Sequence, residues 1–255
     1  MTGDGKTLGY GGSAVVDGLQ VLITSGNFDS AFAISYLQPL DIVPSSISRS
    51  RVKHADGTAA YTGSISFDVT EASIAMMSLS RLLDRHYTFG LAIDDGESGF
   101  QMTGCKLTSL SMSGAPGGLI TASVSAMSTN GKSVATPLNA YMFDTPAGYW
   151  WSGGTDIRDW SFTMNQAVTP MYRNKNEIDP RYLKVGTVDY TLTVTTYSVG
   201  ISSSLINIVT ATFSLTGDTT SRGYSFGGQN ELGMYTHTFE TAAAASAGSG
   251  GIIIA

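Results

Sequence analysis

The sequence predicts an all-β chain, a β-sandwich or barrel with one flanking helix, and three observations predict it. Strict apolar/polar alternation recurs along the chain, Gly-rich turns separate the alternating runs, and Ser, Thr and Gly stand where charged residues would ordinarily be. Charged residues make up only 13% of the 255 residues, and hydrophobic residues 42%; an average soluble domain carries roughly 25% charge. A chain this long buries a substantial core and has room for one large or two small domains.

Taken in order, residues 1–16 lack the apolar stretch of a signal peptide and read as a flexible arm. Strands are expected at 19–24 and 32–37. In residues 64–70, Ile65, Phe67 and Val69 share one face, and Ser64, Ser66, Asp68 and Thr70 share the other. Between Ser73 and Arg85, Ile74, Met77, Leu82 and Leu83 fit a 3.6-residue period, which predicts a helix with Thr70 or Ser73 as its N-cap. Further strands are expected at 88–93, 100–112, 119–127, 158–165, 208–215 and 234–240. In 188–196, Val188, Tyr190, Leu192 and Val194 alternate with Asp189, Thr191, Thr193 and Thr195. Turn signals stand at Asp94-Asp95-Gly96, Gly114–Gly118, Asn130-Gly131, Trp151–Gly154 and Gly217-Asp218. Residues 242–255, which end in Ile252-Ile253-Ile254-Ala255, read as a second arm able to dock on a neighbour.

Matching strand 62–70 to strand 188–196 gives an offset of 188 − 62 = 126, near half the chain, and an irregular segment precedes each strand. This suggests a degenerate duplication with its boundary near 129–140, dividing the chain into units at 17–130 and 139–241.

Composition and motifs argue against most chemistry. The net charge of −6 lacks the basic surplus on which nucleic-acid affinity draws, and no apolar run approaches the roughly 20 residues that span a bilayer. Synthesis and retention in the cytoplasm are expected. Cys105, the single cysteine, offers neither a disulfide nor a thiolate cluster, so neither metal nor cofactor is expected. Gly223-Tyr224-Ser225-Phe226-Gly227 fits the hydrolase nucleophile-elbow pattern and His237 lies downstream, but Gly227-Gly228-Gln229-Asn230 follows in place of a helix. Gly131-Lys132-Ser133 lacks the first glycine of a phosphate-binding loop, because Ala126 stands there. Asp94-Asp95-Gly96-Glu97 is too short for a calcium loop and reads as a hairpin tip. Tyr149, Trp150, Trp151 and Trp160 are either a sugar-stacking platform or core filler, and core is the reading preferred. No catalytic residue is assigned.

One charge pattern stands out. Of 14 Lys and Arg residues, seven fall in two windows: Arg49, Arg51 and Lys53, then Arg173, Lys175, Arg181 and Lys184. Each window precedes one of the two matched strands, which predicts a contact with something acidic.

Three stretches, YTGSISFDVTEASIAMMSLSRLL (61–83), FQMTGCKLTSLSMSGAPGGLITASVSAMS (100–128) and DWSFTMNQAVTPMYRNKNEIDPRYLKVGTVDYTLTVTTY (159–197), resemble double-domain bacteriophage tail tube proteins. The resemblance implies two tandem tail-tube-like β-sandwiches whose inner sheets join neighbours into a barrel around a lumen. It also implies trimeric, pseudo-six-fold rings, with a hexamer as the alternative, stacked through long loops. Partners would be the chain itself and tape measure, terminator and baseplate proteins. DNA would pass through without tight binding, and the place would be the virion tail, assembled in the host cytoplasm. The second half departs from the pattern, because Ser202–Asn207 offers only a short turn where the first half has its helix. If the two basic windows reach the adjacent ring, Asp94, Asp95 and Glu97 are the acidic partners expected there. A tail adaptor, terminator or baseplate-hub ring is the competing reading from the same particle, and a carbohydrate-binding β-sandwich the one from another class.

Overall fold

The computed structural model describes residues 13–36, 53–70, 86–94, 99–115, 118–135, 149–151, 157–173, 178–197, 203–208, 213–218, 221–225, 233–241 and 253–254. The helix expected at 73–85 lies outside them.

Among the described residues the chain is all β and every pairing is antiparallel. The strands are β1 Ser13–Val16, β2 Leu19–Tyr36, β3 Lys53–Asp68, β4 Phe89–Asp94, β5 Gly99–Gly114, β6 Thr121–Ser128, β7 Ser133–Ala135, β8 Tyr149–Trp151, β9 Ile157–Met171, β10 Tyr182–Thr196, β11 Ser203–Ile208, β12 Phe213–Asp218, β13 Ser221–Ser225, β14 Met234–Thr241 and β15 Ile253–Ile254. One sheet runs β13-β14-β10-β9-β5-β4-β1-β2-β3-β6, with β7 on β5; a second runs β15-β12-β11-β8. Because β5 also pairs β6, the circuit β1-β2-β3-β6-β5-β4 closes on itself, while β9, β10, β14 and β13 extend from it as an open row.

β5 makes this possible by being long enough to pair with four strands. Its first half pairs β4 and β7; its second half pairs β6 and β9. Gly104, between the two halves, has φ +66, and a Cβ there would lie 2.5 Å from Thr129 Oγ1, so only glycine fits. β1 lies where a flexible arm was expected. Asp17-Gly18, with φ of 53 and 81, turns it back onto β2 with the two successive positive φ angles of a tight hairpin turn.

The core follows from alternation. Ile65, Phe67, Leu110, Val124, Phe162, Met164, Leu192 and Val194 are all at most 1% exposed and belong to a single cluster fed by both halves of the sequence. Cys105 is fully buried, as a small hydrophobe, and burial pushes its thiol up to about 11.

Several expected boundaries move. Residues 208–215, expected as one strand, divide into the end of β11 and the start of β12. Ser202–Asn207, expected as a turn, falls largely in β11, which is hydrogen-bonded on both sides. Gly217-Asp218 lies inside β12, opposite Ser203 and Ser204. Ile253 and Ile254, expected in a free arm, pair with β12 of the same chain.

The strand order β2-β3-β6-β5 in the first half matches β9-β10-β14-β13 in the second. The buried positions, however, superpose Gly63, Ile65, Phe67 and Val69 on Tyr190, Leu192, Val194 and Thr196, an offset of 190 − 63 = 127. The expected 126 would place Ile65 on the half-exposed Thr191; in a strand a one-residue slip exchanges the two faces.

Candidate functional site

The alternation that fills the core leaves the other face of the sheet polar, and pairing aligns its residues in rows across both halves. One row reads Ser25 (β2), Ser66 (β3), Ser123 (β6), Ser111 (β5), Thr163 (β9), Thr191 (β10) and Glu240 (β14). The row on one side reads Asn27, Ser64, Ser125, Ser109, Asn165 and Asp189. The row on the other begins at Asp68, next to Leu22, and continues Thr121, Ser113, Ser161, Thr193, Thr238 and Ser221. From Asp68 onward, and throughout the other two rows, every member carries a hydroxyl, amide or carboxylate, and none is Lys or Arg. Cross-strand hydroxyls tie the rows together, as Ser66 Oγ donates to Ser123 Oγ at 3.0 Å and Ser113 and Thr121 hydroxyls meet at 3.1 Å. A furrow of about 290 Å³ bounded by Ser66, Ser111, Thr121, Ser123, Ser161 and Thr163 crosses the junction of β3, β6, β5 and β9. Neighbouring strands partly desolvate Asp68 and raise its carboxyl above the ordinary carboxylate value. The polar rows stop at the bulge between Leu107 and Ser109; beyond it Lys106 is 4% exposed, its Nζ donating to the Tyr87 carbonyl.

Two two-stranded ribbons project from this sheet. β2 touches β1 only through Leu19–Val21, and β3 touches β6 only through Tyr61–Asp68, so the rest of that hairpin carries no further strand among the described residues. Likewise β9 meets β5 only over Trp160–Asn165, and β10 meets β14 only over Tyr190–Thr196. The far end of β9–β10 docks on β3. Ala59 N donates to the Ile178 carbonyl at 2.8 Å, Tyr172 Oη to the Ala59 carbonyl at 2.6 Å, and Tyr61 Oη to Asp179 Oδ1. Burial first, then the hydrogen bond and negative charge of Asp179, push the Tyr61 hydroxyl up to about 12.

The basic windows map onto these ribbons. Arg173, Arg181 and Lys184 are exposed at the far end of β9–β10, and Lys53 opens β3 opposite Tyr36. Arg49, Arg51, Lys175, Asp95 and Glu97 lie outside the described residues. Asp94 ends β4 between Ser13 and Gly99 and is 3% exposed, so its carboxylate is not displayed at a hairpin tip as the sequence suggested.

The structure also places the remaining motifs. Ser225 pairs with Met234, and His237 with Arg222 three positions along β13, so alternation places Ser225 and His237 on opposite faces. Trp160 is 2% exposed and belongs to the core, which removes it from any stacking platform; Tyr149–Trp151 form β8. Among the described residues no cluster of His, Cys, Asp and Glu has the arrangement to hold a metal ion, and no helix is long and apolar enough to cross a membrane. Sequence reasoning missed the ribbons, because the alternation of β2, β3 and β10 is interrupted by register shifts near Ser25, Ile34 and Val185. No protein-family model matches the chain, and no curated protein matches it.

Proposed function

We propose that the chain is the structural subunit of a bacteriophage tail tube, whose stacked rings form the conduit for DNA, and that it performs no catalysis. The observation that carries this reading is the polar face. Rows of short hydroxyl, amide and carboxylate side chains run unbroken across β3, β6, β5, β9 and β10, joining the two halves without a single cation. A wall passed by DNA must not hold it. Carboxylates at Asp68 and Asp189 repel phosphate, and short side chains give neither a stacking platform nor a binding groove. The repeated strand order supports two tandem tail-tube-like units per chain, each giving four strands to a common inner sheet. With the resemblance stated above, three chains complete a pseudo-six-fold ring. The exposed cations Arg173, Arg181 and Lys184 at the end of the β9–β10 ribbon then meet the next ring, and tape measure, terminator and baseplate proteins bound the tube in the virion tail.

Negative-stain electron microscopy of the concentrated protein tests the proposal. Hollow tubes are expected. Discrete rings that never stack would instead mark an adaptor, terminator or hub component, and a monomer at every concentration would overturn both.

A further inference from the structure

Resting on the tube reading, we infer that the chain closes into a ring by pairing β13 of one copy antiparallel to β2 of the next, in a register already written into its own β5–β9 junction. β5 and β13 occupy the same place in the repeated strand order, as do β9 and β2, so the junction between the halves is an internal example of a junction between copies.

The residue correspondence follows through the pairings at the offset of 127. Ser66 leads through Ser123 to Ser111, and its counterpart Thr193 leads through Thr238 to Ser221. Asp68 leads through Thr121 to Ser113, and Thr195 leads through Thr236 to Gly223. On the other strand of each hairpin, Ser64 pairs Asn27 where Thr191 pairs Thr163, and Ser66 pairs Ser25 where Thr193 pairs Ser161. Within the chain Ser111 faces Thr163 and Ser113 faces Ser161. Between chains, therefore, Ser221 should face Asn27 of the next copy, and Gly223 should face its Ser25.

Independent features of the two edges agree. Residues 24–27 of β2 and 223–225 of β13 are exposed, and among the described residues neither stretch pairs a further strand on its outer side. Tyr224 sits on the same face of the β13–β14 hairpin as the fully buried His237 and meets Tyr235 in a tilted contact with ring centroids 4.8 Å apart, yet is 60% exposed. Among the described residues no strand lies on the outer edge of β13, and one more strand there would cover this core-side aromatic. Unpaired edges of this kind associate unless they are blocked, and across residues 24–27 and 221–225 the sequence carries one charged residue, Arg222. The contact is head-to-tail, so it generates a ring if its rotation closes.

Engineered cysteines test the register. Facing positions in an antiparallel pair have Cα atoms about 4.5–5.5 Å apart, within the range of a disulfide. The double variant Gly223→Cys with Ser25→Cys, oxidised at concentrations that give assemblies, should form covalent multimers ending at the closed ring. Gly223→Cys with Asp29→Cys, four residues away and about 13 Å out of register, should form none. Wild-type protein controls for Cys105, which is buried. Rings or tubes seen by microscopy without the matched cross-link would overturn this register while leaving the tube proposal standing. Matched cross-links in a protein that forms short oligomers but no tubes would uphold the edge pairing and end the tube proposal; neither cross-links nor assemblies would end both.

Discussion

Ser111 of β5 and Thr163 of β9 face each other where the two halves of the chain become one sheet, and beneath them Leu110, Met112, Phe162 and Met164 belong to one core. The same pairing thus builds the polar wall on one side and fuses the halves on the other.

Fusion through a shared core predicts a single cooperative unfolding event. Phe162→Ala removes a fully buried ring at this junction and should cost about 3–5 kcal/mol. Thermal denaturation followed by circular dichroism should show one transition, displaced downward in the variant. Two separate transitions, with only one displaced, would show that the halves fold as independent units.

The cation-free wall predicts that wild-type protein does not shift DNA in a gel. Ser113→Lys with Asn165→Lys places two cations at exposed positions of this face that do not pair with each other, where substitutions ordinarily change stability by less than about 0.5 kcal/mol. The variant assemblies should retain DNA at 50 mM salt and release it by 200 mM, since each neutralised phosphate adds to the salt dependence. DNA retained equally by the wild type would contradict the proposed role of this face.

Tyr61 and Asp179 predict a dependence on alkaline pH. The Tyr61 hydroxyl is raised to about 12 in the folded chain from an ordinary 10, so the fold favours its protonated form. The stabilisation is complete below about pH 10 and is lost as pH rises toward 12. Tyr61→Phe also loses a hydrogen bond to a carboxylate, about 1.5–3 kcal/mol. Chemical denaturation at pH 8 and pH 11 should show a smaller pH-dependent loss in Tyr61→Phe than in the wild type.

Charge on the β9–β10 ribbon predicts salt-sensitive stacking. Arg181→Glu with Lys184→Glu reverses two exposed cations and should block tube growth while the subunit stays folded. Individual exposed pairs contribute only about 0–1 kcal/mol, but complementary charge repeated around a ring governs encounter and register. Light scattering should show wild-type polymerisation slowing as salt rises toward 1 M, where the Debye length is about 3 Å. Tubes of normal length from the double variant would show that the ribbon is only solvated.

Alternation in 64–70 and 188–196 was enough to assign the faces of β3 and β10, and with them both the core positions Ile65, Phe67, Leu192 and Val194 and the hydroxyls opposite. It placed the basic windows beside the matched strands and identified Cys105 as a buried thiol position. Two local signals were present in the sequence but carried no reading there: Asp17-Gly18, a two-residue turn that makes 13–16 a strand, and Gly104 at a positive-φ position within β5. What only the tertiary structure decided was partnership. A period of two states which side chains share a face, but not which strand lies alongside, because ladder hydrogen bonds are made by backbone common to every residue. Hence the β5–β9 junction, the pairing of Ser203–Ile208 within the second sheet and the docking of Ile178 on Ala59 were decided by contacts between distant segments. Asp94 makes the same point for the site: polar and next to Gly96, it has the sequence of an exposed tip, yet pairing with Ser13 and Gly99 buries it.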